Sequence, residues 1–499
     1  MQFQKPAGAN PTDQQTVLGK PTPRIDGPLK TTGTAKYAYE WHGVVPKPAY
    51  GYPVGAAIAH GRIVSIDLDA ARQSAGVLDI VTSESAGKLE KGIYNKALPL
   101  AGPRVEHYHQ AVALVVAETF EQARAAAALV KVDYEAEPGD YVLADHLDAP
   151  EVAEEGGSVG DYLNAYQAAP VRIDATYTTA AHAHAMMEPH ATIAHWDGDD
   201  LTLWTANQMI EWGRQSMGMI LGISPDNIRL VSPFIGGGFG GKLFVRADAV
   251  LAALGARQTG RAVKVMLPRP LMFNNTAHRS ATVQRITLGA AEDGKLIAVG
   301  HENWSADLPE GGTEDGTQAT KPAYAAPNIM TKVHLATLSL PENGAMRAPG
   351  DAPGSMAIEA AIDELAHELG MDPIELRVLN DAKVHPINGK PFSRRKLVEC
   401  YREGATRFGW SKRRQAPAAV RIGDQWIGMG VASAIRGAPV MNSGARVVLH
   451  ADGRLMVETD MTDIGTGSYT ILAQTAAEML GVPLAQVDVM LGDSRFPVS

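Results

Sequence analysis

One order of predicted elements occurs twice in this 499-residue chain, and it restricts the fold more strongly than any other feature. Each copy begins with a hairpin and a strand, continues into a helix and ends in another strand. An Asp-Gly turn opens each copy, at Asp197 and Asp452, and a Leu-Gly pair ends each helix, at Gly222 and Gly481. Because two units are too few for a solenoid, the sequence predicts an internal duplication that forms two tandem, related α+β domains.

A different pattern precedes the duplicated part. Alternating runs at 62–69 and 111–118 indicate strands, and residues 119–132 are typical of a helix with Thr119 as its N-cap. The sequence therefore predicts an α/β domain ahead of the two related domains. The boundaries that we expect are an N-terminal arm (1–18), the α/β domain (19–140), a linker (141–165), the first related domain (166–390) and the second related domain (391–499).

Composition and charge exclude several classes of function. The net charge of −10 argues against binding to nucleic acid. No apolar run approaches the roughly 18 residues of a membrane helix, and the first residues lack the pattern of a secretory signal, so we expect neither membrane insertion nor a signal on this chain. The one cysteine, Cys400, can neither form an internal disulfide nor hold an iron-sulfur cluster, and we expect it to be a small buried residue.

Three glycine-rich loops carry the predicted chemistry: GGGFGGKL (236–243), NGAMRAPGDAPGS (343–355) and DIGTGS (463–468). Each is predicted to lead into a helix, the first of which begins at about Leu243. Glycine lets the backbone approach a ligand closely, and the free N–H groups at the start of a helix add a positive partial charge. The three loops together predict one extended, multiply anionic ligand held between domains.

The first loop also fits two common phosphate-binding patterns. As a P-loop it would need Ser or Thr after Lys242 to bind Mg²⁺, and Leu243 stands there. As a Rossmann loop it would need an acidic residue at the end of the next strand, but residues 262–270 end in proline and arginine. Neither pattern explains the loop, although a nucleotide-binding enzyme that uses it as a phosphate cradle stays an alternative.

The loops resemble those of a known family, the molybdenum-binding subunits of the xanthine dehydrogenase and aldehyde oxidase family. PFIGGGFGGK, AMRAPG and TDIGTGSYTILAQTAAEMLG resemble its cofactor loops, and GKPTPRIDGPLKTTGTAKYAYEW resembles the start of its hammerhead domain. The resemblance covers essentially the whole chain. It implies a hammerhead-type domain at 19–140, two molybdopterin-binding domains after it, and a molybdenum held by molybdopterin cytosine dinucleotide.

The resemblance also assigns candidate residues. It implies that Gln208 hydrogen-bonds an oxygen ligand near the metal and that the backbone at residues 237–239 lines the same end. The backbone at Arg347 would approach the metal ligands from another side, and residues 464–466 would cradle the pterin and phosphate. Arg436 is a candidate for the substrate funnel, although a structural salt bridge explains it equally well. No protein side chain is expected to ligate the metal directly. The cofactor-binding candidates are Gln208, Gly237, Gly238, Phe239, Gly240, Gly241, Arg347, Ile464, Gly465 and Thr466.

The implied reaction is the oxidation of aldehydes, aromatic ones among them, to carboxylic acids. A metal-bound hydroxide attacks the carbonyl carbon, hydride passes to a terminal sulfide, and a glutamate in a G-x-G-E context acts as the base. The chain contains no G-x-G-E, so we expect a C-terminal truncation of the last domain and no turnover by this polypeptide alone. A catalytically inactive scaffold that keeps its partner-binding surfaces is an alternative.

The resemblance implies two partner subunits, because the electrons must leave the metal and Cys400 alone cannot hold a cluster. One partner would carry iron-sulfur clusters and the other FAD, in a heterotrimer. A periplasmic location follows from the resemblance if a partner bears the export signal, and a cytoplasmic one is also compatible with the sequence. A separate motif, HAHAMMEPH, places His182, His184, Glu188 and His190 together in the manner of a metal site, but we expect hydrogen-bonded structural histidines there.

Overall fold

The computed structural model describes residues 15–152, 157–437 and 439–499. Within the first of these ranges up to residue 136, the strands are β1 (Ala49–Gly55), β2 (Gly61–Asp67), β3 (Val77–Thr82), β4 (Arg104–Val105), β5 (Ala111–Ala117) and β6 (Lys131–Ala136). The α-helices of the same segment are α1 (Gly27–Thr31), α2 (Asp69–Arg72), α3 (Ser83–Ala86) and α4 (Phe120–Ala127). Thr119 caps α4 by accepting a hydrogen bond from the backbone N–H of Gln122, as predicted, but the helix ends at Ala127 because residues 131–136 form a strand.

The central part of the chain contains the largest number of elements. Its strands are β7 (Glu151–Val152), β8 (Ser158–Val159), β9 (Val171–Thr179), β10 (His182–Ala183), β11 (Ala191–Asp197), β12 (Asp200–Thr205), β13 (Ile228–Val231), β14 (Val263–Met266), β15 (His278–Arg279), β16 (Thr282–Ala290), β17 (Leu296–Asp307) and β18 (Asn328–Thr337). Its α-helices are α5 (Tyr162–Ala168), α6 (Ile210–Leu221), α7 (Ala247–Thr259), α8 (Arg269–Asn274), α9 (Thr317–Thr320), α10 (Asp351–Glu368) and α11 (Pro373–Leu379).

The C-terminal part is smaller. Its strands are β19 (Arg421–Ile422), β20 (Gln425–Trp426), β21 (Arg446–Leu449), β22 (Leu455–Thr459) and β23 (Val487–Leu491), and its α-helices are α12 (Leu397–Phe408) and α13 (Ser468–Leu480). Cys400 lies on α12 and is exposed, so the expectation of a buried cysteine is wrong. No helix in the described residues is long and apolar enough to cross a membrane.

A seven-stranded sheet runs across the domain boundary that we placed at residue 140. Its strand order is β13-β12-β11-β14-β1-β5-β3, and β1 pairs in parallel with β14 and antiparallel with β5. Helix α7 packs against this sheet in the largest hydrophobic cluster. Residues 247–256 of α7 are all buried, which fits a helix that is apolar on every side. The hammerhead strands and the first related domain therefore share one core, and the boundaries that we drew stay predictions.

A second sheet carries the segment that leads to the middle glycine loop. Its main strand order is β7-β18-β17-β16-β9, and the short strand β8 also pairs with β18. Helix α10 packs on it through Ile358, Ile362 and Leu365. Both β7 and β8 fall within residues 141–165, and α5 begins there, so the stretch assigned to a linker contributes two strands and the start of a helix to this layer.

The structure confirms the internal duplication. In the first copy β11 pairs antiparallel with β12, and β12 pairs in parallel with β13 after the chain has passed through α6. In the second copy β21, β22, α13 and β23 repeat the same order and the same pairing directions. The predicted helix ends are also matched, because Gly222 and Gly481 both adopt the left-handed conformation at the C-caps of α6 and α13.

The two copies join at the ends of their last strands. Val231 and Asp493 form an antiparallel bridge, and the N–H of Ser232 donates to the carbonyl oxygen of Gly492 over 2.6 Å. Arg229 pairs with the Asp493 carboxylate at 2.6 Å. This junction brings the loop between β12 and α6 close to the corresponding loop between β22 and α13, and both loops carry candidate cofactor residues.

The N-terminal segment is bound to the last helix rather than to the hammerhead strands. The Glu478 carboxylate on α13 accepts hydrogen bonds from the N–H groups of Thr16, Val17 and Leu18 and from the Thr16 hydroxyl. These bonds, that from Val17 foremost, lower the pKa of Glu478 to about 2. Because the ordinary value is 4.5, the contribution of Glu478 is complete above about pH 4.5 and is lost as the pH falls toward 2.

Glu478→Gln is therefore expected to loosen the N-terminal segment already at pH 7. The variant loses the charged acceptor, so the amide protons of residues 16–18 should exchange with solvent about tenfold faster. Hydrogen exchange followed by mass spectrometry measures this rate. Glu368→Gln, at an exposed position near the end of α10, serves as the control, and equal exchange rates in both variants would contradict the anchoring role.

Candidate functional site

Gln208 lies in the loop between β12 and α6 and is locked onto the first glycine loop. Its side-chain oxygen Oε1 accepts hydrogen bonds from the N–H groups of Gly240 (3.1 Å) and Lys242 (3.3 Å). Its backbone N–H donates to the carbonyl oxygen of Lys242 over 2.7 Å. Since Oε1 is occupied, the side-chain amide presents Nε2, a donor with no acceptor among the described residues, on its other side.

The second loop is docked against the first. The N–H of Arg347 donates to the carbonyl oxygen of Phe239 over 2.8 Å, and Ala345 packs so closely on Gly240 that a β-carbon there would overlap its carbonyl oxygen. His184 lies between the loops, with Nε2 at 2.8 Å from the same Ala345 oxygen. Gly240 and Arg347, which the sequence assigned to one end of a cofactor, are therefore neighbours.

The third loop meets the other two through its first residues. The Thr462 hydroxyl donates to the carbonyl oxygen of Asn207, beside Gln208, over 3.0 Å. The N–H of Ile235, just before the first loop, donates to the carbonyl oxygen of Asp463 over 3.1 Å. All three predicted loops, together with Gln208, thus converge on one region where the two copies of the duplicated unit join.

The N–H groups between the third loop and α13 are not all free for a ligand, as the prediction had assumed. The Asp463 carboxylate itself accepts hydrogen bonds from the N–H groups of Gly465 (3.1 Å), Gly467 (3.2 Å) and Ser468 (3.5 Å). Those amides at the start of α13 are consequently occupied by an anion that belongs to the chain. The N–H groups of Ile464 and Thr466 donate to no described acceptor, so they are the loop amides left for a ligand.

Asp463 is fully buried and is neutralised by residues from the other end of the chain. Lys30 Nζ lies 2.7 Å and Arg24 Nη2 lies 3.6 Å from its carboxylate. Arg24 also donates to the carbonyl oxygen of Gly465 over 2.9 Å. Arg24 and Lys30 were missed as site residues, because the sequence separation leaves no local signal that could pair them with Asp463.

Lys242 does not occupy the position of a P-loop lysine. Its side chain is completely buried, and Nζ donates to the Glu188 carboxylate (2.7 Å) and to the Glu188 carbonyl oxygen (2.9 Å). Burial lowers the pKa of Lys242, and the Glu188 charge opposes that shift. An ammonium held in this way is not free to contact the phosphates of a nucleotide, which argues against a P-loop at this position.

The histidine motif forms no metal site. No group of three or more His, Cys, Asp or Glu side chains in the described part of the chain is arranged to hold a metal ion. His184 and His190 instead contact the carbonyl oxygens of Ala345 and Gly241, and burial lowers the pKa of both. The expectation of hydrogen-bonded structural histidines is thus confirmed for His184 and His190, whereas His182 is exposed.

Arg436 lies beside the second loop. Its Nη1 is 2.6 Å from the carboxylate of Asp351, the first residue of α10, while the Arg436 side chain is 66% exposed. The salt bridge named as one interpretation of Arg436 is present. Its place in a substrate funnel stays a prediction.

The geometry of the first loop fits a ligand rich in hydrogen-bond acceptors. Gly237, Gly238 and Phe239 follow one another, and none of their N–H groups has an acceptor among the described residues, although Gly238 is buried. A buried donor without a partner is unfavourable unless a ligand or water satisfies it. Phe239 also has φ of 53°, an uncommon conformation for a residue other than glycine and one often found at ligand sites.

One feature of the first loop differs from the prediction. Helix α7 begins at Ala247 and not at Leu243. Residues 243–245 lie outside the helix, and Arg246 is its N-cap residue. The first loop consequently offers its own amides but no helix terminus. The second and third loops do enter α10 and α13 directly, at Asp351 and Ser468.

Three protein-family models match the chain. The aldehyde oxidase and xanthine dehydrogenase a/b hammerhead domain matches residues 34–138, and two molybdopterin cofactor-binding domains match 146–381 and 403–498. The cofactor-binding matches include all three glycine loops. The hammerhead match covers the strands of the α/β region.

Known relatives agree with these matches. The chain is 58% identical over 503 residues to the aldehyde oxidoreductase molybdenum-binding subunit PaoC of Escherichia coli (strain K12), over 100% of this chain and 69% of PaoC. It is 31% identical to the putative xanthine dehydrogenase molybdenum-binding subunit XdhA of the same strain, over 94% of this chain and 66% of that protein.

Solved structures share the fold. Quinoline 2-oxidoreductase from Pseudomonas putida 86 has a TM-score of 0.88 at 23% identity, over 97% of this chain and 67% of that one. An aldehyde oxidoreductase from Desulfovibrio desulfuricans has a TM-score of 0.84 at 23% identity, over 96% of this chain and 56% of that one. The chain therefore belongs to the xanthine dehydrogenase and aldehyde oxidase family, as a molybdenum-binding oxidoreductase subunit.

Proposed function

We propose that the chain is the cofactor-binding subunit of an aldehyde oxidoreductase that converts aldehydes, including aromatic ones, to carboxylic acids. The observation that carries the proposal is the convergence of three loops, each of which has N–H groups without an acceptor among the described residues. The identity to PaoC, whose name states an aldehyde oxidoreductase, supports the substrate class. The cofactor is molybdopterin cytosine dinucleotide, which is extended and anionic, as the three loops require.

The residues divide between the two ends of the proposed ligand. Gln208 Nε2 and the N–H groups of residues 237–239 donate hydrogen bonds at the metal end. The N–H groups of Ile464 and Thr466 donate to the pterin and phosphate end, where the half-exposed Arg24 adds a positive charge. When bound, the cofactor supplies a metal that acts as Lewis acid and electron acceptor.

The chain itself contributes orientation. The hydrogen bonds to Oε1 fix the plane of the Gln208 amide, so Nε2 can hold an oxygen atom at one defined position. Lys30 and Arg24 balance the charges of Asp26 and Asp463, so the buried Asp463 does not repel an anionic ligand. Arg436 stands at the edge of the second loop, where a substrate would enter.

Other parts of the enzyme lie outside this chain in the proposal. The electrons pass to an iron-sulfur subunit and then to an FAD subunit, in a periplasmic heterotrimer. The general base, a glutamate in a G-x-G-E context, has no counterpart in the 499 residues. The chain spans 69% of the length of PaoC.

The molybdenum content of the complex purified from its natural host tests the proposal. About one molybdenum per chain is expected if the loops bind one cofactor. Iron-sulfur and FAD partners without molybdenum would contradict it and favour an inactive scaffold.

Gln208→Ala is expected to reduce the molybdenum content about tenfold, because it removes the proposed Nε2 donor and leaves two loop amides without their acceptor. Elemental analysis per chain measures the loss, and the melting temperature separates it from unfolding. Gln215→Ala, on the exposed face of α6, is the control. Equal molybdenum contents in the two variants would show that Gln208 does not contact the cofactor.

A further inference from the structure

Arg279 makes an unusual set of contacts beneath the second loop. The residue ends β15, and its side chain is only 9% exposed. Its Nη2 donates to three successive carbonyl oxygens, those of Met346 (2.5 Å), Arg347 (2.8 Å) and Ala348 (3.3 Å). The carbonyl oxygens of three successive loop residues thus point at one guanidinium nitrogen.

Glu314 holds Arg279 in place. Its carboxylate oxygen Oε1 lies 3.1 Å from Arg279 Nε and accepts a hydrogen bond from the N–H of Gly350 over 2.7 Å. Glu314 is itself 3% exposed, so the charges compensate each other in a buried place. The pair therefore fixes both the carbonyl oxygens of the loop and Gly350, the N-cap residue just before α10.

The direction of the carbonyls determines the direction of the amides. In a trans peptide the C=O of one residue and the N–H of the next point to opposite sides. With the carbonyls of Met346 and Arg347 turned to Arg279, the N–H groups of Arg347 and Ala348 must point away from it. That of Arg347 reaches Phe239 in the first loop.

The N–H of Ala348 has no acceptor among the described residues. Trans geometry turns it away from Arg279, to the side on which the neighbouring N–H of Arg347 reaches Phe239 of the first loop. The third gathered carbonyl, that of Ala348, precedes Pro349, which has no N–H to orient. Ala348 also has φ of 58°, a strained conformation that the surrounding contacts must maintain.

We propose that Arg279, held by Glu314, is a positioning residue that turns the Ala348 N–H toward the bound cofactor. The inference rests on the proposed function and deepens it, because it adds Ala348 as a donor and names the pair that aims it. Arg279 touches neither cofactor nor substrate. Its effect passes through the three carbonyls.

Arg279→Lys, prepared in the complete complex, tests the proposal. Lysine keeps a positive charge but has a single nitrogen, so it cannot contact Glu314 and the three carbonyl oxygens at once, as arginine does with Nε and Nη2. Arg285→Lys is the matched control, since Arg285 on the adjacent β16 pairs with Asp174 at 2.7 Å and lies half exposed away from the loops. The measurements are molybdenum per chain, melting temperature and the Mo(V) electron paramagnetic resonance spectrum.

Arg279→Lys is expected to lose about tenfold in molybdenum content, or to load and give shifted g-values, while its melting temperature stays near that of Arg285→Lys. Normal loading with an unchanged spectrum would overturn the proposal. If Arg279→Lys fails to fold, Glu314→Gln decides by the same two criteria, because glutamine still accepts from Gly350. Absence of molybdenum from the parent complex and every variant would contradict the proposed function itself, and so is distinguishable from failure of the Arg279 proposal.

Discussion

Replacing Gly240 by alanine is expected to destabilise the protein by about 3 kcal/mol and to reduce its molybdenum content about tenfold. Gly240 has φ of 100°, where an L-residue is strained. A β-carbon would also overlap the Ala345 carbonyl oxygen, a backbone atom that cannot rotate away. Alanine must therefore push the first and second loops apart and weaken the hydrogen bond from Gly240 to Gln208.

Gly260→Ala separates the effect of backbone strain at positive φ from the effect of overlap with a neighbouring loop. Gly260 also adopts a left-handed conformation, at the C-cap of α7, but a β-carbon there would meet no atom within 4 Å. This control should cost only about 1 kcal/mol and leave the molybdenum content unchanged. Urea unfolding and elemental analysis measure the two effects. A Gly240→Ala variant that loads cofactor as well as Gly260→Ala would mean that close contact between the loops is not needed for binding.

Local signals in the sequence were sufficient for much of the fold. The Asp-Gly turns, the glycines at the ends of α6 and α13 and the cap at Thr119 act over a few residues, and each is found where it was predicted. The duplication could be predicted because both copies repeat these local signals in the same order. The start of α7 could not, because the side chain of its N-cap residue, Arg246, makes no capping hydrogen bond and instead contacts Asn95 and Glu342 from distant segments.

The glycine loops were found because glycine is required wherever two backbones approach closely. The charged residues that hold those loops were not found, since Lys30, Arg279 and Glu314 look like ordinary surface residues in a sequence. Only tertiary packing buries Arg279 and Glu314 and covers most of Lys30, and their partners lie far away along the chain. The sequence therefore predicts which backbone meets the proposed ligand, and the structure is needed to identify the side chains that fix its shape.

Replacing Lys242 by methionine is expected to lower the free energy of unfolding by about 3 kcal/mol, because it leaves the Glu188 carboxylate buried without its cation. Methionine has nearly the same shape, so the loss reports the charge and not a cavity. Glu188 also accepts hydrogen bonds from the N–H groups of Gly236 and Ala38. Lys242→Met should therefore also weaken the hydrogen bond from Gly236, the first residue of the first loop, to Glu188.

The matched control is Lys295→Met, whose ammonium lies 3.5 Å from Asp293 on the exposed surface and which should change stability by about 0.5 kcal/mol at most. Adding Glu188→Gln to Lys242→Met should restore more than half of the loss, since the unpaired charge is then gone.

Titration of the parent protein and of Lys242→Met with Mg-ATP tests the nucleotide-binding alternative. Binding of ATP to the parent protein that Lys242→Met abolishes without loss of stability would reinstate a phosphate-binding lysine. If Lys242→Met loses stability and the parent protein binds no ATP, then Lys242 stabilises the first loop through Glu188 and does not bind phosphate. The N–H groups of residues 237–239 would then be available to a different anionic ligand.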